Sequence, residues 1–203
     1  MTADVPRNAT IERKTNETEI SVTLGLDGKG QANVQTGIGF LDHLLDALAR
    51  HGRFDLDLRC QGDLEVDDHH TAEDCGLALG AAIREALGDR VGIERFGSAY
   101  APLDEALARA VVDISGRPHA SIDLGLTRER LGELSCENIP HVLSSLATAA
   151  ELTLHVDVLK GDNDHHRAEA AFKAVALALR AAVRPSGFGD VPSTKGTIGG
   201  AAS

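Results

Sequence analysis

Two short segments of this sequence combine adjacent histidines with a nearby glutamate. DDHHTAED spans residues 67–74, and NDHHRAEA spans residues 163–170. In each segment the glutamate follows the first histidine by four positions. Imidazole nitrogen and carboxylate oxygen together suit borderline divalent ions such as Mn, Fe, Co, Ni and Zn. The two segments are therefore candidate metal sites.

Helical geometry sends the two histidines of each segment in different directions. On a helix, His69 and Glu73 share one face, because residues four apart are neighbours there. His70 is rotated from His69 by about 100°. Adjacent histidines therefore do not easily chelate one ion and are better placed to serve two ions, one on each side of the helix. A single segment of this kind is also compatible with a polar helix start capped by an aspartate.

The duplication favours metal binding over that alternative. His69 and His165 are 96 positions apart, and an extra histidine precedes each segment, His43 and His141, which are 98 positions apart. The candidate metal ligands are His43, His69, His70, Glu73, His141, His165, His166 and Glu169. This set suffices for two ions with three His and one Glu each, which leaves coordination positions open, as in catalytic sites. Sites within one chain and sites between chains both remain open, and in the second case metal would also drive assembly.

The elements around these residues repeat in the same order. In each half, strands precede a helix that carries one histidine, and a further strand leads to the His-His helix. The helix with one histidine is GFLDHLLDALARHG in the first half and IPHVLSSLATAAEL in the second. Residues 17–37 alternate around LDGKG, which predicts a β-hairpin. The helices after the two segments present matching apolar faces: Ala72, Gly76, Leu79, Ile83 and Ala86, then Ala168, Phe172, Val175, Leu179 and Ala182.

This order predicts an α+β fold made of duplicated half-domain units with β-sheet and helices, related by a pseudo-twofold axis. The first half is expected over residues 1–95 and the second over residues 96–185. The segment 186–203 is rich in Gly, Pro and Ser and is expected to be a loop and mobile tail.

Composition excludes several classes of protein. The net charge of −11 argues against a nucleic-acid partner, which would need basic patches. The chain has three cysteines and no C-x-x-C motif, which fits a reducing compartment, and we expect a cytoplasmic protein. No run approaches the ~18 apolar residues that a membrane span needs.

Longer motifs resemble a known family. GIGFLDHLL, DDHHTAEDCGLALG, LDEALARAVVDISGRP, DHHRAEAAFKAVALALRAA and PSTKG are similar to motifs of imidazoleglycerol-phosphate dehydratase, a carbon–oxygen lyase of histidine biosynthesis. The resemblance implies a ribosomal protein S5 domain 2-like fold and trimers that assemble into a 24-mer shell. It implies two manganese ions per site, at subunit interfaces. It also implies loss of water from imidazole glycerol phosphate to give imidazole acetol phosphate. With a metal ion at each ring nitrogen, loss of the ring N–H would give a metal-bound imidazolate.

The resemblance also assigns roles to individual residues. The eight candidate metal ligands match the family's ligands. Catalytic roles would fall to Glu17, Glu73 and Glu169. Substrate binding would involve Glu17, His43, His51, His69, Arg95, Arg117, His165, Lys173, Ser193, Thr194 and Lys195. Arginine, lysine and hydroxyl groups in this set suit the substrate's phosphate.

Two other functions fit part of the pattern. A dinuclear metal hydrolase would also use His and carboxylate ligands, but such sites usually have bridging carboxylates, and here His outnumbers Glu three to one. A metal-stabilised structural assembly would use the ions only to hold chains together.

Overall fold

The computed structural model describes residues 7–198, so the last five residues of the predicted tail lie outside the described residues. The first half contains β1 (Asn8–Lys14), β2 (Thr18–Gly25), β3 (Ala32–Gln35), α1 (Gly39–Gly52), β4 (Asp55–Gly62) and α2 (His69–Leu87). The second half contains β5 (Phe96–Leu103), β6 (Ala106–Asp113), β7 (His119–Asp123), β8 (Arg130–Leu131), β9 (Leu134–Ser135), α3 (Asn138–Ala149), β10 (Thr153–Lys160) and α4 (Asp164–Ala182). The mixture of strands and helices confirms the α+β fold class.

The two halves contain sheets with the same strand order. The first sheet runs β1-β2-β4-β3 and the second runs β5-β6-β10-β7. In both, the last strand of the order is parallel to its neighbour and the other pairs are antiparallel. This equivalence is consistent with a duplicated half-domain fold.

The predicted hairpin over residues 17–37 is wrong. Its two strands form, but β4 lies between them, and the true hairpin partner of β2 is β1. The reason is the length of the available pairing. Strand β4 pairs with β2 along all eight residues, whereas β3 is only four residues long. A longer ladder satisfies more backbone hydrogen-bonding groups and buries more side chains, so it displaces the local pairing.

Strand pairing also extends the internal repeat beyond the motifs. Ala32 pairs with Leu56 in the first sheet, and Ala120 pairs with Leu154 in the second. The strands before the first histidine helix are therefore repeated with a shift of 88 positions, whereas β4 and β10 are 98 positions apart. The difference is accounted for by the segment that carries the small β8–β9 hairpin, between β7 and α3.

Helices fill the space between the two sheets. Helix α2 packs on the first sheet and on α3, and α4 packs on the second sheet and on α1. The apolar faces predicted for α2 and α4 are buried along their whole length. Each His-His segment thus opens a helix whose body is fixed in the core. Within residues 7–198, no helix has the length and apolar character that crossing a membrane requires.

Glycines bring α2 unusually close to α3. A Cβ atom at Gly76 would lie 2.6 Å from the Val142 carbonyl oxygen, and one at Gly80 would lie 2.4 Å from the Leu146 carbonyl oxygen. Neither contact is possible for a larger residue without movement of the helices. This close approach places His141 of α3 beside His69 of α2.

Candidate active site and metal centre

Six of the eight predicted ligands form two compact clusters. The Glu73 cluster consists of His69, Glu73 and His141, and the Glu169 cluster consists of His43, His165 and Glu169. In each cluster, one potential ligand atom of every residue lies within 4.8 Å of the others. Each cluster joins the start of a His-His helix to the single histidine of a helix from the other half. Each cluster therefore combines residues from both halves of the repeat.

The Glu73 cluster is open around its carboxylate. The Nε2 atoms of His69 and His141 lie 3.8 Å and 3.5 Å from different oxygens of Glu73. The two imidazole rings are stacked, with centroids 5.0 Å apart and an interplanar angle of 19°. Behind the cluster, the Nδ1 atom of His69 donates to Oδ1 of buried Asn138 at 3.1 Å. That bond fixes the ring and leaves Nε2 facing the cluster.

The Glu169 cluster is tighter and includes a cation. The Nε2 atoms of His43 and His165 lie 3.0 Å and 3.3 Å from the same oxygen of Glu169, and Lys173 Nζ lies 2.7 Å from its other oxygen. Burial would raise the pKa of Glu169, but hydrogen bonds from Lys173 and His43 outweigh it and lower the pKa to about 2. Glu169 is therefore an anion at any pH at which the protein would work.

His70 and His166, the remaining predicted ligands, face carboxylates instead. The Nδ1 atom of His70 lies 3.0 Å from Asp63, and that of His166 lies 2.7 Å from Glu105. Because a carboxylate only accepts hydrogen bonds, Nδ1 carries the proton in both rings and Nε2 is left with the lone pair that a metal ion requires. These hydrogen bonds also raise the pKa of both histidines above the ordinary value of 6.5.

The donor set fits divalent metal ions. Among the described residues, Nε2 of His141 is a buried polar atom that makes no hydrogen bond, even though Glu73 lies 3.5 Å away. A buried nitrogen without a partner is costly, and a metal ion would satisfy it. The two imidazoles and one carboxylate of each cluster also match the preference of borderline ions.

Glu17, predicted as catalytic, lies next to one of the predicted ligands. It occupies the turn between β1 and β2, with Oε1 3.6 Å from Nε2 of His70 and about half of its side chain exposed. Asp74 holds this turn against α2, because its buried carboxylate accepts hydrogen bonds from Thr18 and Arg13.

The residues predicted to bind phosphate meet in a cleft of about 540 Å³. Its lining includes Arg95, Arg117, Ser193, Thr194 and Lys195. The Arg95 guanidinium is already engaged, since it donates to Asp113 at 2.7 Å and to the Pro192 carbonyl oxygen at 2.6 Å. This arginine therefore also ties the C-terminal loop to the second sheet.

His51 and Lys173 belong to the surroundings of the Glu169 cluster. Burial lowers the pKa of His51, and the neighbouring Lys173 ammonium lowers it further. His51 is thus a neutral imidazole at pH 7, able to donate one hydrogen bond and accept another.

Sequence reasoning missed three residues that bond to candidate ligands: Asp63, Glu105 and Asn138. Asp63 and Asn138 carry no spacing signal, because their partners are brought to them only by strand and helix packing. Glu105 does carry one, since it follows Glu17 by the 88-position shift of the strands and also ends a turn between antiparallel strands.

Comparisons with known proteins decide the family. The model of the imidazoleglycerol-phosphate dehydratase family matches residues 36–179. The enzyme of that name from Phaffia rhodozyma is 58% identical over 204 residues, covering 98% of this chain and 100% of the relative. The one from Phytophthora nicotianae is 62% identical over 192 residues, covering 95% of this chain but 42% of that longer relative. The crystal structure of IGPD from Pyrococcus furiosus, in complex with (S)-C348, has a TM-score of 0.81 and 35% identity, and covers 93% of this chain and 100% of that one.

The chain belongs to the imidazoleglycerol-phosphate dehydratase family. It is accordingly a hydro-lyase of histidine biosynthesis. Membership of the imidazoleglycerol-phosphate dehydratases decides against the dinuclear hydrolase and against a purely structural assembly.

Proposed function

We propose that this dehydratase depends on two divalent ions, most simply manganese, one bound by the Glu73 cluster and one by the Glu169 cluster. The observation that carries the proposal is the pair of matched clusters, one of which contains the buried, unpartnered Nε2 of His141. Three ligands per cluster leave positions free for a fourth histidine and for substrate. The two ions would act as Lewis acids on the two ring nitrogens of the substrate and favour its imidazolate form.

We further propose that the clusters are completed between chains. His70 and His166 take part in neither cluster of their own chain, so we assign their Nε2 atoms to the clusters of a second chain. Each ion would then have three His and one Glu, and metal binding would stabilise the assembly. Trimers that associate into a 24-mer shell are one closed arrangement that would supply such interfaces.

The position of the phosphate cleft supports the same proposal. Arg95 lies at the C-terminal end of α4, where its backbone N–H donates to the Ala182 carbonyl oxygen, whereas His165 and Glu169 lie at the N-terminal end. Helix α4 has 19 residues and is roughly 28 Å long. A small phosphorylated imidazole does not span that distance, so the cleft of one chain would serve the metal cluster of another.

The reaction removes the hydroxyl group from the carbon next to the ring and a hydrogen from the adjacent carbon. The resulting enol tautomerises to the ketone, and the hydroxyl leaves as water after gaining a proton. Glu17 is the proposed proton carrier, because its carboxylate lies beside His70, is exposed to solvent and is of a type that can serve as acid or base. His51 and Lys173 would bind polar groups of the substrate beside the Glu169 cluster, and Arg117, Ser193, Thr194 and Lys195 would bind its phosphate, with Arg95 holding their loop.

We also propose a cytoplasmic location for the protein. Within the described part of the chain, Cys60, Cys75 and Cys136 are free thiols. Free thiols fit a reducing cytosol.

Replacement of the cluster carboxylates tests this proposal. Glu73→Gln and Glu169→Gln each remove one anionic ligand, so each variant should bind one manganese ion per chain instead of two. Dehydration should slow by more than the ~10–100-fold that loss of a residue that only orients a ligand typically costs. Metal analysis of the purified protein and a dehydration assay provide the two measurements.

Glu85→Gln is the matched control, because this exposed glutamate lies near the far end of α2. It should retain full metal content and activity. Two ions per chain and unchanged dehydration in both cluster variants would refute the proposed ligands.

A further inference from the structure

Glu105 uses its two carboxylate oxygens for different purposes. Oε1 accepts backbone N–H groups of Asp162 at 3.2 Å and Asn163 at 2.9 Å, just before α4 begins. Oε2 accepts the Nδ1 hydrogen of His166 at 2.7 Å. One side chain therefore fixes both the start of the ligand helix and the orientation of a ligand on it.

The bond from His166 determines which of its nitrogens can bind a metal. Since Oε2 of Glu105 only accepts, the neutral ring must carry its hydrogen on Nδ1, and the lone pair is on Nε2. The nearest carboxylate on that side, Asp104, is 3.9 Å away, beyond hydrogen-bonding distance. Nε2 therefore keeps its lone pair available.

The counterpart of Glu105 in the first half is Glu17, which approaches a different nitrogen of its histidine. Glu17 and Glu105 each stand directly before the second strand of their sheet, 88 positions apart. Glu17 approaches Nε2 of His70 at 3.6 Å, because Asp63 already holds Nδ1 of that ring. The first turn contains residues 15–17, and the second contains only residues 104–105, so the two carboxylates reach their histidines from different sides.

We propose that Glu105 is a positioning residue that fixes the tautomer and rotamer of His166 for metal binding. Of the two glutamates related by the repeat, only Glu17 then remains free for proton transfer. This inference rests on the proposed function, in which His166 is a ligand. It assigns to Asp63 the corresponding role for His70. The two halves thus supply ligands that are oriented in the same way by carboxylates from different places in the fold.

Glu105→Gln separates the two tasks of the side chain. The amide oxygen of Gln can still accept from Asp162 and Asn163, but its NH₂ group cannot accept from Nδ1 of His166. The ring hydrogen should therefore move to Nε2, where it blocks metal binding. Manganese affinity should fall 10–100-fold, as for other residues that orient metal-binding histidines.

The tautomer is read from the ring ¹⁵N chemical shifts of His166 in the metal-free protein, and the amide signals of Asp162 and Asn163 report on the loop. Manganese affinity is measured by calorimetry on the full chain. Asp63→Asn should change the tautomer of His70 alone, and Glu85→Gln should change neither ring. In Glu105→Gln, the shifts of His166 should change while the two amide signals stay in place.

The outcomes distinguish this inference from the proposed function. If Glu105→Gln keeps wild-type manganese affinity and the Nδ1 tautomer, whereas His166→Ala loses manganese, the positioning role is refuted and the ligand set stands. If His166→Ala itself binds manganese normally, the proposed ligand set fails. Weakened metal binding together with displaced Asp162 and Asn163 amides would show that Glu105 only caps the loop, and would overturn the inference.

Discussion

The Glu73 and Glu169 clusters contain the same ligand types but are held in place by different neighbours. Asn138 fixes His69 by a hydrogen bond, whereas the equivalent position in the first half, 98 residues earlier, is Phe40, whose ring packs against His165 with centroids 4.9 Å apart. Lys173 pairs with Glu169, whereas the equivalent position 96 residues earlier is Leu77. The two halves share the candidate metal ligands and differ in the residues behind them.

These differences give the two carboxylates different charge environments. Glu169 is mostly buried, with 14% of its side chain exposed, and is neutralised by an ammonium. Glu73 is 38% exposed and has two imidazoles as its close partners. An ion entering the Glu169 cluster must compete with Lys173, whereas Glu73 forms no ion pair with a lysine or arginine among the described residues. We therefore expect the Glu73 cluster to bind manganese more tightly.

The largest effect on this comparison should come from Asn138→Leu. Loss of the hydrogen bond frees the ring of His69, so manganese affinity at the Glu73 cluster should fall ~10–100-fold. The Glu169 cluster should be unaffected. Calorimetric titration of the metal-free protein resolves the two binding steps, and equal weakening of both steps would contradict the assignment of Asn138 to one cluster.

Lys173→Leu should have a smaller effect of opposite sign. It places at position 173 the residue found at the equivalent position, Leu77, and removes the ammonium that competes with the ion. Affinity at the Glu169 cluster should rise roughly tenfold, equivalent to about 1.4 kcal/mol. The same titration should show the two binding steps moving closer together. Further separation of the steps would mean that Lys173 assists the ion instead of competing with it.

The smallest effect concerns the acid stability of the metal-free protein. The pKa of Glu169 is lowered from 4.5 to about 2, so its ion pair stabilises the fold fully above pH 4.5 and loses this contribution as the pH falls towards 2. The difference in unfolding free energy between wild type and Lys173→Leu should therefore be constant above pH 4.5 and shrink below it. Urea unfolding with a chelator at several pH values measures this difference. If it stayed unchanged down to pH 2, another interaction of Lys173 would be responsible.

Local sequence patterns predicted the helices well. Helix α1 spans the same 14 residues as the segment GFLDHLLDALARHG, because a helix is built from contacts three and four residues apart. The same spacing placed His69 and Glu73 on one face. The apolar periodicity of α2 and α4 correctly identified their buried sides.

Non-local packing could not be derived from these patterns. Alternation identified Ile20, Val22 and Leu24 as the buried face of a strand, but not that β4 would pair with it instead of β3. Equally, nothing in the spacing placed Asp63 on His70, since that contact depends on how β4 ends against the start of α2. Strand order and ligand orientation are decided by competition among distant segments.

Asp74 couples the turn that carries Glu17 to helix α2. It follows Glu73 on α2, and its buried carboxylate is bonded to Thr18, the residue after Glu17. The turn that carries Glu17 is thus attached to α2, the helix that also carries His70. Any movement of α2 would carry Glu17 and His70 together, so the proposed proton carrier would stay beside the candidate ligand next to which it lies.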